Sequence, residues 1–209
     1  MKKILLFVAL LLGQVATAHG FDVAARIAYF QPQDHRIRGI YGHHGYPEYE
    51  LEANCPIDSI YNCCGYDCGP TWAGWGNFSI YHKKGHSSGC IKNSSEITSW
   101  ALNFGIKGYL GACCFPESFR PYLGFGVGYA HVDFHDHSPY VNKHIDRSGI
   151  AILAKSGIEY DITCDIFLDF FVDYASNWFN SPHTSRCCNS TRRFNTGGVK
   201  LGLGLGYHF

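Results

Sequence analysis

The clearest pattern in the chain lies in its last thirteen residues, 197–209, which read GGVKLGLGLGYHF. Val199, Leu201, Leu203, Leu205, Tyr207 and Phe209 share one parity, and Gly198, Lys200, Gly202, Gly204, Gly206 and His208 share the other. Strict alternation predicts a β-strand, because successive side chains point to opposite faces. One face is apolar throughout and spans about 20 Å untilted. The other is almost free of side chains, which suits the crowded inside of a small closed sheet.

Seven more segments alternate in the same way. Phe21–Phe30 sets Phe21, Val23, Ala25, Ile27 and Tyr29 against Asp22 and Arg26. Tyr46–Ala53 sets Tyr49 and Leu51 against Glu48, Glu50 and Glu52. Thr71–Tyr81 follows, then Ile97–Leu110, with Trp100, Leu102, Phe104 and Ile106 opposite Asn103, Gly105 and Lys107. Phe119–Phe134 sets Leu123, Phe125, Val127 and Tyr129 against Gly124, Gly126 and Gly128. Ile150–Asp161 places Ile150, Ile152, Ala154 and Ile158 opposite Lys155 and Glu159; Cys164–Tyr174 places Ile166, Leu168, Phe170, Val172 and Tyr174 opposite Asp165, Asp169 and Asp173.

The total is eight strands, the even number that a single-chain bacterial barrel requires. Long connections are expected at 31–45, 82–96, 135–149 and 180–196, and short ones at 111–118 and 161–164. The connection 54–70 is long where a tight turn is expected.

The oily parity, the strand count and the terminal Phe209 resemble small bacterial outer-membrane β-barrels, the broad class of OmpW-like and OmpA-like proteins. The resemblance implies an all-β fold: an eight-stranded antiparallel up-and-down transmembrane barrel with a filled polar lumen. It also implies residence in the cell outer membrane, contact with outer-membrane lipid, and insertion by the barrel-assembly machinery through the C-terminal strand. It carries no functional residues, because the class shares architecture rather than a catalytic motif.

The N-terminus agrees. Residues 1–18 have a basic pair (Lys2, Lys3), an apolar run (Ile4–Leu12) and the small-residue site Ala16-Thr17-Ala18, the layout of a secretory signal peptide. Residues 19–209 then form one barrel domain. Seventeen basic and seventeen acidic residues balance, so nothing points to nucleic acid. Aromatic residues make up 16% and glycines number 24, which favours β structure. Tyr46, Tyr81, Trp100, Tyr122, Trp178 and Tyr207 are expected as interfacial belts.

The inward parity collects charge: Asp22, Glu48, Glu50, Glu52, Glu159, Asp165, Asp169 and Asp173, with Arg26, Lys107, Lys155 and Lys200. Unpaired charges in an enclosed lumen cost several kcal/mol each, so an ion-pair network is expected. A narrow cation path is the alternative, and a filled interior weighs against it.

Ten cysteines are unusual for such a barrel. Cys55, Cys63, Cys64, Cys68, Cys113, Cys114 and Cys164 fall near the periplasmic strand ends, and Cys90, Cys187 and Cys188 in outer loops. Export favours disulfides at the rims. The adjacent pairs Cys63-Cys64 and Cys113-Cys114 should each reach separate partners. Cys55, Cys64 and Cys68 fit a zinc site only loosely. Cysteine-rich envelopes resemble those of chlamydia-like bacteria, which implies disulfide-linked envelope proteins as partners.

Around the third outer loop, His131, Asp133, His135, Asp136, His137 and His144 offer ligands for Zn²⁺ or Cu²⁺. With twelve histidines in the chain, solvated loop residues account for the cluster, and no metal or cofactor is assigned. His135 or His137 with Ser138 suggests a lipid-modifying hydrolase, but no acid partner is singled out. The Asn-x-Ser/Thr triplets at Asn77, Asn93 and Asn189 carry no information in a bacterial envelope protein. The sequence thus points to a non-enzymatic outer-membrane barrel with a structural or surface-interaction role. A porin-like channel, a lipid-modifying enzyme and a soluble lipocalin-type barrel are the alternatives. The last would need its oily face inward.

Overall fold

The structure is a computed structural model, and it describes residues 20–57 except His43, 71–86, 94–110, 118–137, 142–180 and 193–209. The proposed signal peptide, Ser138 and eight of the ten cysteines lie outside those residues. Nine strands and one helix are present among them: β1 (Asp22–Pro32), α1 (His35–Tyr41), β2 (Tyr46–Pro56), β3 (Thr71–His86), β4 (Ser94–Tyr109), β5 (Phe119–His137), β6 (Asn142–Asp161), β7 (Ile166–Asn180), β8 (Arg193–Asn195) and β9 (Gly198–His208). All pairings are antiparallel.

β8 and β9 pair with β7 in one continuous register and form a single eighth stave. It is interrupted at Thr196-Gly197, where the Asn195 side-chain oxygen accepts the N–H groups of Gly197 (2.7 Å) and Asn177 (3.0 Å). A short polar side chain that offers the backbone an alternative partner breaks the ladder locally.

The sheet closes. Neighbouring strands pair in sequence from β1 to β7, β7 pairs with β9, and β9 pairs with β1. A walk across the ladder from Asp22 passes Asn54, Trp75, Gly105, Gly126, Leu153, Ala175 and Gly198, and re-enters β1 at Pro32. The return is ten residues along the strand from the start. With eight staves that stagger tilts the strands about 40° and gives a backbone radius of about 8 Å, a barrel that its own side chains fill. At the last step the Phe209 N–H donates to the Phe21 carbonyl (2.9 Å). Their rings stack with centroids 4.5 Å apart.

Parity sorts the side chains as the alternation predicts. Ile27, Leu51, Phe78, Phe104, Phe125, Ile150, Phe170 and Leu203, one from each stave, all lie exposed on the outside. Described outward positions level with these carry no charge. A continuous apolar girdle of this kind is a surface for lipid rather than water. No helix among the described residues is long and apolar enough to cross a membrane; the strands do so.

Four sequence expectations are corrected. Tyr46, Tyr81 and Tyr122 do not join an interfacial belt: they are buried in the lumen, on the parity of Glu48, Asn77 and Gly124. Trp178 and Tyr207 are exposed as expected. Asp165 is exposed in a bend rather than inward on a strand. There the Thr163 hydroxyl accepts the N–H groups of Asp165 (3.3 Å) and Ile166 (3.0 Å), so β7 starts two residues later than expected.

The described residues of the expected long loops at 82–96, 135–149 and 180–196 are mostly ladder, with pairing carried to His86↔Ser94, His137↔Asn142 and Asn180↔Arg193. The fourth correction is α1, inside the expected loop 31–45. Its ends follow local chemistry, with Asp34 before the first turn and Gly42 at φ 98° after the last.

Candidate functional site

The lumen holds the densest chemistry, in two tiers. The tier nearer the termini is ionic and centres on Arg26 of β1. Its guanidinium reaches Glu52 (2.5 Å), Glu50 (3.3 Å), Asp169 (3.0 Å) and Asp173 (3.2 Å), and lies 3.5 Å over the Phe171 ring. Glu52 also takes the ammonium groups of Lys107 (3.1 Å) and Lys155 (2.6 Å). Lys107 continues to Glu159 (2.8 Å), and Lys155 to Asp173 (3.1 Å). Lys200 holds Glu48 (2.8 Å) and Glu50 (2.7 Å) together.

Of the twelve charged residues the sequence assigns to the lumen, the structure buries ten in this one network. Six are carboxylates and four are cations, and neutral donors cover part of the difference. Tyr122 donates to Asp169 (2.9 Å), Tyr109 to Glu159 (3.1 Å) and the Asn77 amide to Glu50 (3.1 Å). Buried charges tolerate desolvation only when paired and hydrogen-bonded on several sides, as they are here.

Asp22 sits apart, half-buried at the rim, where His208 bridges it (2.7 Å) to Asp161 (3.3 Å). Arg120 joins them, 3.1 Å from Asp161 and 3.2 Å from Glu159. Arg120, Asp161 and His208 were missed in the sequence although each carries the inward parity of its strand, which was the signal available.

Glycines make room for the larger lumen groups. A Cβ on Gly126 would lie 2.5 Å from the Trp75 indole, and one on Gly105 2.7 Å. On β9, Gly202 faces the Phe171 ring, Gly204 the Arg26 stem and Gly206 the Phe167 ring. The bare parity of the C-terminal strand is therefore space taken by its neighbours.

The second tier, toward the other end, is apolar. Phe30, Tyr46 and Tyr81 form a ring cluster with centroids 5.1–5.4 Å apart. Ile97, Ala101, Ala130, Val132, Ala151 and Phe179 complete the layer. Ile37 and Tyr41 of α1 pack onto it, and Tyr41 bonds Ser95 (2.8 Å).

By sequence the chain matches no family model and none of the curated proteins. By structure it is similar to OprG of Pseudomonas aeruginosa, with a TM-score of 0.57 at 15% identity over 92% of this chain and 96% of that one. It is also similar to Ail, the attachment invasion locus protein of Yersinia pestis (0.50, 13%, 91% and 99%). A third is a major outer membrane protein of Thermus thermophilus (0.50, 12%, 91% and 99%). The fold is that of an outer-membrane barrel. The likeness at this identity concerns architecture, and the apolar girdle adds the second half of the statement: this barrel spans a lipid membrane, as the outer-membrane class does.

Cys55, half-buried at the end of β2, and Cys164, exposed in the bend before β7, are free thiols at the rim that carries the termini. The two are not bonded to each other. Cys63, Cys64, Cys68, Cys90, Cys113, Cys114, Cys187 and Cys188 lie outside the described residues.

Proposed function

We propose that the protein is an integral outer-membrane protein with a structural and surface-interaction role, not a conduit. The observation that carries this reading is the double closure of the lumen. A solute would have to pass the Phe30–Tyr46–Tyr81 layer under α1 and then the Arg26 network. In the expected orientation the termini face the periplasm, and α1 with the extended β3–β4 and β5–β6 ladders faces outward as the contact surface. The free thiols of Cys55 and the exposed Cys164 at the rim that carries the termini favour disulfide links to neighbouring envelope proteins.

Planar bilayers test the first part: the folded barrel should leave the membrane as insulating as the bare bilayer, and stable conductance steps would refute it. Gel mobility before and after boiling, with and without reductant, tests the second. Reductant-sensitive oligomers of the boil-shifted band are expected.

One observation favours a second reading, a lipid-modifying activity. On the outside of the barrel, His131 lies 3.3 Å from the Ser148 hydroxyl through Nδ1 and 3.4 Å from Asp146 through Nε2. A serine, a histidine and an acid in that sequence can form a nucleophile and its base. A Ser148→Ala variant that leaves the acyl pattern of the surrounding lipid unchanged would end this reading.

A further inference from the structure

Beyond the girdle, β5 and β6 continue as paired strands, with β4 on the far side of β5, and their outward positions are polar on three successive rungs. His131 faces Ser148, Asp133 faces Asp146, and His135 faces His144. Two carboxylates directly opposite one another destabilise a ladder unless something cationic neutralises them. Here the two diverge. Asp146 turns to His131 (3.4 Å), whose ring stacks on Trp100 at 5.3 Å. Asp133 turns the other way, between His135 and His144, one oxygen 3.4 Å from His135 Nε2 and the other 3.1 Å from His144 Nδ1.

The short contact with His144 is not a hydrogen bond. Asp133 Oδ1 is shielded from solvent and accepts none, although the imidazole nitrogen is within reach. A solvent-shielded carboxylate oxygen that accepts no hydrogen bond has a lone pair open to a cation. The two imidazole rings tilt toward each other with centroids 4.3 Å apart, and one ligand atom from each of the three residues falls within a 4.8 Å set. A tetrahedral zinc with bonds of about 2.0–2.1 Å has ligand–ligand edges of about 3.3 Å. The two carboxylate–imidazole separations, 3.4 Å and 3.1 Å, run to different oxygens of Asp133, and the set of three spreads over up to 4.8 Å. The two rings would therefore draw in toward one carboxylate oxygen to take the ion.

We propose that Asp133, His135 and His144 form a Zn²⁺ site on the outside of the barrel beyond the girdle, with water at the open position. Two imidazoles and one carboxylate suit zinc and disfavour calcium or magnesium, which take oxygen ligands. The backbone holds the set ready: His135 and His144 are direct cross-strand partners, and Asp133 is one outward position below His135. Bound zinc would neutralise the Asp133–Asp146 opposition and tie β5 to β6 just short of residues 138–141.

The test uses the full mature barrel, refolded in detergent with its thiols blocked by N-ethylmaleimide so that cysteines bind no metal. Zn²⁺ alone is titrated calorimetrically at neutral pH, and the boiling shift on gels verifies that each variant is folded. The wild type should bind one equivalent. His135→Ala and His144→Ala should each weaken that binding at least about tenfold. His208→Ala should leave it unchanged, since that ring sits between Asp22 and Asp161 at the opposite rim. Hydrogen exchange of the 131–148 amides should slow on adding zinc in the wild type and not in the two site variants. A wild-type chain that takes up no zinc would overturn the proposal, as would a His135→Ala/His144→Ala double variant that binds zinc as tightly as the wild type.

Discussion

The Arg26 guanidinium lies 3.5 Å above the ring of Phe171 while facing four carboxylates at its edge. The aromatic face and the acids together fix one rotamer of a long side chain in the middle of the barrel. Removing the guanidinium leaves Asp169 buried without a cation and takes one cation each from Glu50, Glu52 and Asp173, which keep only their lysines. Arg26→Met should therefore lower unfolding stability by about 3–5 kcal/mol, the cost of leaving a buried charge unpaired. Urea titration of the barrel in lipid vesicles reads the change. A loss under about 1 kcal/mol, the scale of an exposed pair, would mean the network is hydrated and weak.

Trp75 and Gly126 share one volume, so enlarging the glycine should fail unless the indole is cut back. Gly126→Leu is expected to cost at least about 1–3 kcal/mol by overpacking. Adding Trp75→Ala should recover a substantial part of it, because neighbouring substitutions in one packed space are not additive. Equal losses in the single and double variants would show that the two residues do not compete. The same urea titration provides the comparison.

The barrel was legible because two faces of opposite character ran through every segment, and period two needs no partner to be read. What parity could not show was which residues meet in the lumen. Tyr46, Tyr81 and Tyr122 were assigned to the interface by residue type although their parity pointed inward. In an eight-stave lumen an aromatic ring fills space, and the Tyr122 hydroxyl also donates to Asp169. The far ladders were illegible for another reason. Once the girdle ends, the outward face turns polar while Ile97, Val132 and Phe134 keep the inward face apolar, so the oily parity changes sides. Cross-strand pairs such as His82 with Thr98 (3.0 Å) and Glu96 (2.8 Å) carry the ladder on. Helix α1 buries only Ile37 and Tyr41 in a single i, i+4 pair, too short a period to stand out. Asp133, His135 and His144 were all among the candidate ligands that the sequence offered; the β5–β6 register selects these three from the larger cluster by setting His135 opposite His144.

Depth in the membrane gives a prediction about the outside. Leu203 is in the middle of β9 and exposed, flanked by Leu201 and Leu205 on the same face. Leu203→Arg should cost about 2–4 kcal/mol in lipid vesicles, the value for a cation near the bilayer midplane. Val199→Arg, nearer the strand end, should cost less. A barrel whose outer face met water would tolerate both changes within about 0.5 kcal/mol, the usual range for surface positions.

Closure depends on the last residue. Phe209 contributes a backbone bond to Phe21 (2.9 Å), a stacked ring at 4.5 Å and an edge contact with Tyr207 at 4.7 Å. The two contacts with Phe21 join the first stave to the eighth, so they form only when those staves meet. Phe209→Ala keeps the backbone bond and loses the ring pair, a loss of about 0.5–1.5 kcal/mol beyond the area it buried. Deleting Phe209 removes both. Folding into lipid vesicles, followed by the boil-sensitive gel band, should slow in the order wild type, Phe209→Ala, deletion, and Phe209→Tyr should match the wild type. If all four fold at one rate, the β1–β9 seam closes without help from its terminal residue, and the aromatic ending has no part in assembling this barrel.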